Sequence, residues 1–126
     1  MTTLTVEKTY KTPTIVLDAE TGILELRGKS IPEDANVFYL PIYNWLEEYT
    51  KNPAPKTVFN IQLDYFNTSS SKCLMDLFKL LHEIFKNKKG EVMINWYYNE
   101  MDEDMLESGE DIKSLIFFPF NLISIK

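Results

Sequence analysis

Thr57-Val58-Phe59-Asn60-Ile61-Gln62-Leu63, followed by Asp64-Tyr65-Phe66-Asn67-Thr68-Ser69-Ser70-Ser71-Lys72, decides how this chain folds. The first seven residues alternate, with Phe59, Ile61 and Leu63 opposed to Val58, Asn60 and Gln62, and β-branched or aromatic side chains are frequent. That is the pattern of a central strand. The next eight residues are a polar turn feeding a helix from about Ser71 to Asn87. There Cys73, Leu74, Leu77, Phe78, Leu81, Ile84 and Phe85 form a buried stripe opposite Lys72, Asp76, Lys79, Glu83 and Lys86. Gly90, just beyond, stands where a C-terminal cap belongs.

Working outward, Asp34 to Asn52 spaces Phe38, Ile42, Trp45, Leu46 and Tyr49 by threes and fours, a helix with Asp34 as N-cap. Pro41 lacks an N–H, so a kink or a separate first turn is expected. Thr14 to Asp18, Ala19 to Gly22 and Ile23 to Arg27 read as a β-hairpin ended by Gly28. Val92 to Tyr98 is a fourth strand, Glu100 to Asp111 contains a short helix, and Phe120 to Ile125 closes the sheet. The order ββαβαβαβ predicts an α/β domain, a mixed sheet with about three helices. Residues 1–12 read as a flexible leader and residues 13–126 as one domain.

The 126 residues are 44% hydrophobic and 13% aromatic, enough for a packed core, and carry a net charge of −6. That sign argues against nucleic acid or an anionic membrane as partner. No apolar run approaches the roughly 20 residues of a spanning helix, and no signal peptide is visible. One cysteine, Cys73, allows no internal disulfide and no thiolate cluster, so a reducing cytoplasm is expected. Cys73 reads as a small buried hydrophobe. His82 falls on the wet side of its helix without a carboxylate partner. The four glycines are isolated, which excludes a phosphate loop, and the late acidic segment lacks the order of a calcium loop. No enzyme, metal or cofactor is expected.

The four hydroxyls Thr68 to Ser71 are more than one N-cap needs. They stand where a helix N-terminus offers free N–H donors and partial positive charge, a setting that stabilises phosphate. A phosphorylated hydroxyl there would act as a switch.

Pro13-Thr14-Ile15-Val16-Leu17-Asp18 with Glu20-Thr21-Gly22-Ile23-Leu24-Glu25-Leu26, Asp64-Tyr65-Phe66-Asn67-Thr68-Ser69-Ser70-Ser71-Lys72, Trp45-Leu46-Glu47-Glu48-Tyr49 and Met101-Asp102-Glu103-Asp104-Met105-Leu106 resemble the bacterial SiaC-like regulatory phosphoproteins. The likeness runs over nearly the whole chain, and Asn-Thr-Ser-Ser before a helix is its most specific part. The resemblance implies a STAS-like fold and a non-enzymatic partner switch. It implies a Ser/Thr kinase that modifies the motif threonine, a PP2C-type phosphatase that reverses it, and an effector bound by the unmodified form. In the best-known system the effector is a diguanylate cyclase, linking the family to cyclic di-GMP and biofilm formation. The phosphoacceptor carried over is Thr68, with Ser69 and Ser70 behind it. Asn67, Ser69, Ser70, Lys72 and Met75 are expected at the partner surface. Asp64 departs from the family's usual Glu or apolar residue and alters local charge. The alternative is a constitutive interaction domain whose Ser-rich junction only caps a helix.

Overall fold

A computed structural model describes all residues, 1–126. One six-stranded sheet runs in chain order through Leu4–Val6 (β1), Thr14–Leu17 (β2), Ile23–Ser30 (β3), Lys56–Phe66 (β4), Glu91–Asn99 (β5) and Phe120–Ile125 (β6). Strands β1 to β3 pair antiparallel and β3 to β6 parallel, so the expected mixed sheet is present. Three helices make the parallel crossovers: Ala35–Tyr49 (α1), Thr68–Lys86 (α2) and Glu103–Lys113 (α3). Crossovers of one hand between strands added in one direction put their helices on one face. That face carries Leu24, Leu26, Phe59, Ile61, Ile94 and Trp96, all buried. On the opposite face Glu25, Asn60, Asn95 and Asn121 lie in register, and the three asparagine amides join through hydrogen bonds of 2.9 and 3.0 Å.

The expected leader is corrected at its centre. Leu4, Thr5 and Val6 have strand-forming side chains and pair with Leu17, Val16 and Ile15, while the Trp45 indole donates to the Thr2 carbonyl at 2.8 Å. The order is therefore βββαβαβαβ. Helix α1 starts on the expected cap, with Asp34 accepting from the Val37 N–H, and runs unbroken through the exposed Pro41. Its buried face includes Tyr39, which the spacing of threes and fours from Ile42 also allows.

Gly28 does not end its strand. With φ at +117° it continues β3 to Ser30, opposite a bulge in β4 where Asp64 is the extra residue between Leu63, paired with Gly28, and Tyr65, paired with Lys29. The bulge shifts the alternation by one. Tyr65 turns out to solvent, and Phe66 turns in to meet the Trp96 ring edge-on at 5.8 Å. Ser30 stays in phase with Leu24 and Leu26 and points into the molecule, fully buried.

Two further sequence expectations change at the end of α2. Phe85 is exposed, and the left-handed residue after the helix is Lys88, with φ at 54°, so Gly90 is not the cap. The Lys89 N–H reaches the Ile84 carbonyl at 3.1 Å, closing the helix in a Schellman arrangement. Gly90 is instead required by space, since a Cβ there would lie 2.9 Å from the Ala54 carbonyl oxygen.

Gly109, in the middle of α3, lies against the Trp96 indole. A Cβ at this position would fall 2.6 Å from Trp96 Cδ1 and 2.7 Å from Leu122 Cδ2. Alanine would gain about 1 kcal/mol of helix propensity but overpack a fully buried ring, typically at a cost of about 1–3 kcal/mol. Gly109→Ala is therefore expected to lower the thermal midpoint. A raised midpoint would contradict that packing.

Candidate functional site

The carboxyl ends of β3 and β4 and the start of α2 meet at one edge of the sheet. Asn67, extended at φ −87° and ψ 172°, is the N-cap of α2, and its side chain accepts from the Ser70 N–H at 2.8 Å. The helix begins at Thr68, three residues before the expected start, so the hydroxyl run forms the first turn and none of its members is the cap. The junction thus caps α2 through Asn67 and not through a hydroxyl. The Asn67 N–H is itself held by the Ser30 carbonyl at 3.1 Å.

Thr68 and Ser69 are exposed, the first two residues of a helix whose leading N–H groups have no acceptor one turn back. Lys72 is also exposed, one turn beyond Thr68, and Met75 is half-buried one turn further. Spacings of four and three put Thr68, Lys72 and Met75 in one row along α2. The row continues through Lys79 to His82. Met75, Lys79 and His82 line a groove of about 350 Å³ closed on its other side by Leu115 to Phe118. His82 is not the solvated side chain its spacing implied. It is half-buried, with ring centroids 6.3 Å from Phe85, 6.5 Å from Phe117 and 6.3 Å from Phe118.

Ser70, expected at the partner surface, is corrected there, because its side chain is fully buried. Its Oγ donates to the Ser30 carbonyl at 3.0 Å and lies 2.7 Å from Ser30 Oγ, which is 2.6 Å from the Tyr39 hydroxyl. Thus β3, α1 and α2 meet in one buried hydroxyl chain. Sequence pattern alone does not mark Ser30 and Tyr39 as site residues. Ser30 follows from the alternation of β3 once Gly28 is read as a bulge partner. Tyr39 sits four residues after Ala35 and three before Ile42 on the buried face of α1.

Burial pushes the Tyr39 phenol up to about 12 from an ordinary value of 10. The sign follows from which form the fold favours. The neutral phenol is bound, so its stabilising contribution is complete below pH 10 and is lost as pH rises from 10 through about 12. Alkaline unfolding curves are expected to show a larger fall across this range for the unaltered protein than for Tyr39→Phe. Identical pH dependence would contradict the buried phenol.

Cys73 is buried and unpaired, with its thiol 3.6 Å from Asn36 Oδ1. Burial, then the carboxylates of Asp76 and Asp34, pushes the thiol up from its ordinary value, away from a reactive thiolate. No three His, Cys, Asp or Glu side chains converge as a metal site. Three acids of the late segment instead serve the start of α3, where Asp102 caps the helix by accepting from the Met105 N–H and Glu103 and Asp104 occupy the first turn. No helix is long and apolar enough to cross a membrane.

Solved structures share this architecture. Apo-SiaC from Pseudomonas aeruginosa superposes with a TM-score of 0.90 at 28% identity, covering 98% of this chain and 99% of that one. A chain in the crystal structure of the diguanylate cyclase SiaD in complex with its activator SiaC, from the same organism, gives a TM-score of 0.91 at 29% identity, covering 97% and 99%. An uncharacterized protein of Pseudomonas aeruginosa strain UCBPP-PA14 is 30% identical over 120 residues, 95% of this chain and 94% of its own length. The family model for SiaC family regulatory phosphoproteins matches residues 6–125. The chain belongs to the SiaC family of regulatory phosphoproteins, and is a regulator rather than an enzyme.

Proposed function

We propose that the chain is a phosphorylation-controlled activator of a diguanylate cyclase in the cytoplasm, with Thr68 as the phosphoacceptor. The observation that carries this reading is the position of Thr68 in a SiaC-family chain: exposed, first in α2, and one turn before the exposed Lys72. A relative's structure, the complex of SiaD with its activator SiaC, supports the choice of effector class. In the unmodified state Thr68, Ser69, Lys72 and Met75 contribute to the effector contact, with the aromatic groove beyond Met75 continuing it.

A kinase adds the phosphate and a PP2C-type phosphatase removes it. Phosphate on Thr68 brings close to two negative charges to the start of α2, where the helix N-terminus and Lys72 stabilise it in the free protein. Against the effector, the same charge would have to be stripped of water. Free and bound states are therefore driven apart by one modification. Phosphosite mapping of protein recovered from its own cells tests the assignment. Label is expected on Thr68 and absent from Thr68→Ala, whereas label found only outside residues 67–71 would overturn it.

A further inference from the structure

We propose that Ser30 and Tyr39 are positioning residues that select the acceptor, clamping the first turn of α2 so that Thr68 is presented and Ser70 is withheld. This rests on the reading of Thr68 as the phosphoacceptor. The proton count in the buried chain has a single solution. A carbonyl only accepts, so the Ser70 hydroxyl proton goes to the Ser30 carbonyl. Ser30 must then donate to Ser70 Oγ, and Tyr39 must donate to Ser30 Oγ. Every hydroxyl in the chain gives its proton to the next acceptor, and no buried side-chain polar atom is left without a partner.

The clamp is doubled at the main chain, because the Ser30 carbonyl accepts from both the Asn67 N–H and the Ser70 hydroxyl. Asn67 in turn holds the Ser70 N–H. The turn that carries Thr68 is thus tied on both sides to the end of β3, and through Tyr39 to α1. Ser70 Oγ, with both its proton and a lone pair committed and no exposure, is closed to a kinase. Thr68 and Ser69 stay open. Four adjacent hydroxyls are in this way sorted by one buried serine.

Amide hydrogen exchange and phosphosite mapping of protein recovered from its own cells, on the unaltered chain, Ser30→Ala and Tyr39→Phe, test the proposal. The amides of Ser70 and Ser71 are expected to exchange about tenfold faster in both variants, while those of β4 and β5 keep their protection. Phosphate on Thr68 is expected to fall several-fold, and label is expected to appear on Ser70 in Ser30→Ala. Unchanged exchange at these amides overturns the clamp, whatever phosphorylation does. Faster exchange with Thr68 still labelled in full and Ser70 unlabelled overturns the acceptor-selecting role. If the unaltered chain carries no phosphate on residues 67–71, the Thr68 reading falls and takes that role with it, and exchange alone decides whether the clamp exists.

Discussion

Thr68→Asp is expected to weaken binding to the proposed partner, a diguanylate cyclase, by about a hundredfold, with Thr68→Ala binding as the unaltered chain does. The magnitude follows from the cost of an unpaired charge in an interface, about 3–5 kcal/mol when fully buried and less toward the rim. Folding should not share the loss. An acidic side chain in the first turn of a helix is favourable by about 0.3–1 kcal/mol, and position 68 is exposed in a helix that otherwise has no acid there. Thermal unfolding of the two variants is therefore expected to match or exceed that of the unaltered chain, which separates a binding effect from misfolding. Isothermal titration against the purified cyclase reads the affinity. Equal binding by both variants would remove Thr68 from the contact.

Trp96→Ala is expected to destabilise the fold by about 3–5 kcal/mol, a large share of the 5–15 kcal/mol that holds an ordinary domain together. Trp96 is fully buried at the centre of β5. Its indole N–H donates to the Met105 carbonyl at 3.1 Å, which pins α3 to the sheet. Phe66 meets the ring edge-on at 5.8 Å, and Phe120 stacks on it at 6.1 Å. Removal leaves a cavity bordered by both aromatic rings and by the Gly109 backbone, which close-packed surroundings fill only in part. Because Phe66 immediately precedes the Asn67 cap, the loss also loosens the strand end that positions Thr68. Urea unfolding followed by far-ultraviolet circular dichroism measures the change. A loss below about 1 kcal/mol would show that Trp96 does not organise this end of the core.

The main architecture was legible because its signals are local. The alternation of Phe59, Ile61 and Leu63, the apolar stripe of α2 and the Asp34 cap each require only a few consecutive residues to read. The misread places depend on partners distant in sequence. Leu4–Val6 becomes a strand only beside Leu17, Val16 and Ile15, and three residues in a Thr-rich stretch are too few to show an alternation by themselves. Gly28 looks like a terminator until Asp64 is seen to bulge opposite it, and with Ser30 lost from the strand the hydroxyl chain to Tyr39 and Ser70 could not be inferred. His82 follows the wet face of α2 by spacing, but Phe117 and Phe118 come back from beyond α3 to cover it. At the junction, hydroxyl content marks the first turn of α2 as the candidate site. Which hydroxyl is exposed is a matter of tertiary packing, and it leaves Thr68 and Ser69 open and Ser70 closed.

The phosphorylation switch is tested most directly by cyclic di-GMP production from the purified diguanylate cyclase of the same organism, titrated with unmodified protein and with protein carrying phosphothreonine at position 68. Unmodified protein is expected to raise cyclase activity in a saturable way, and the phosphorylated form to need at least about tenfold more protein for the same activation. Equal activation curves for the two forms would contradict the switch.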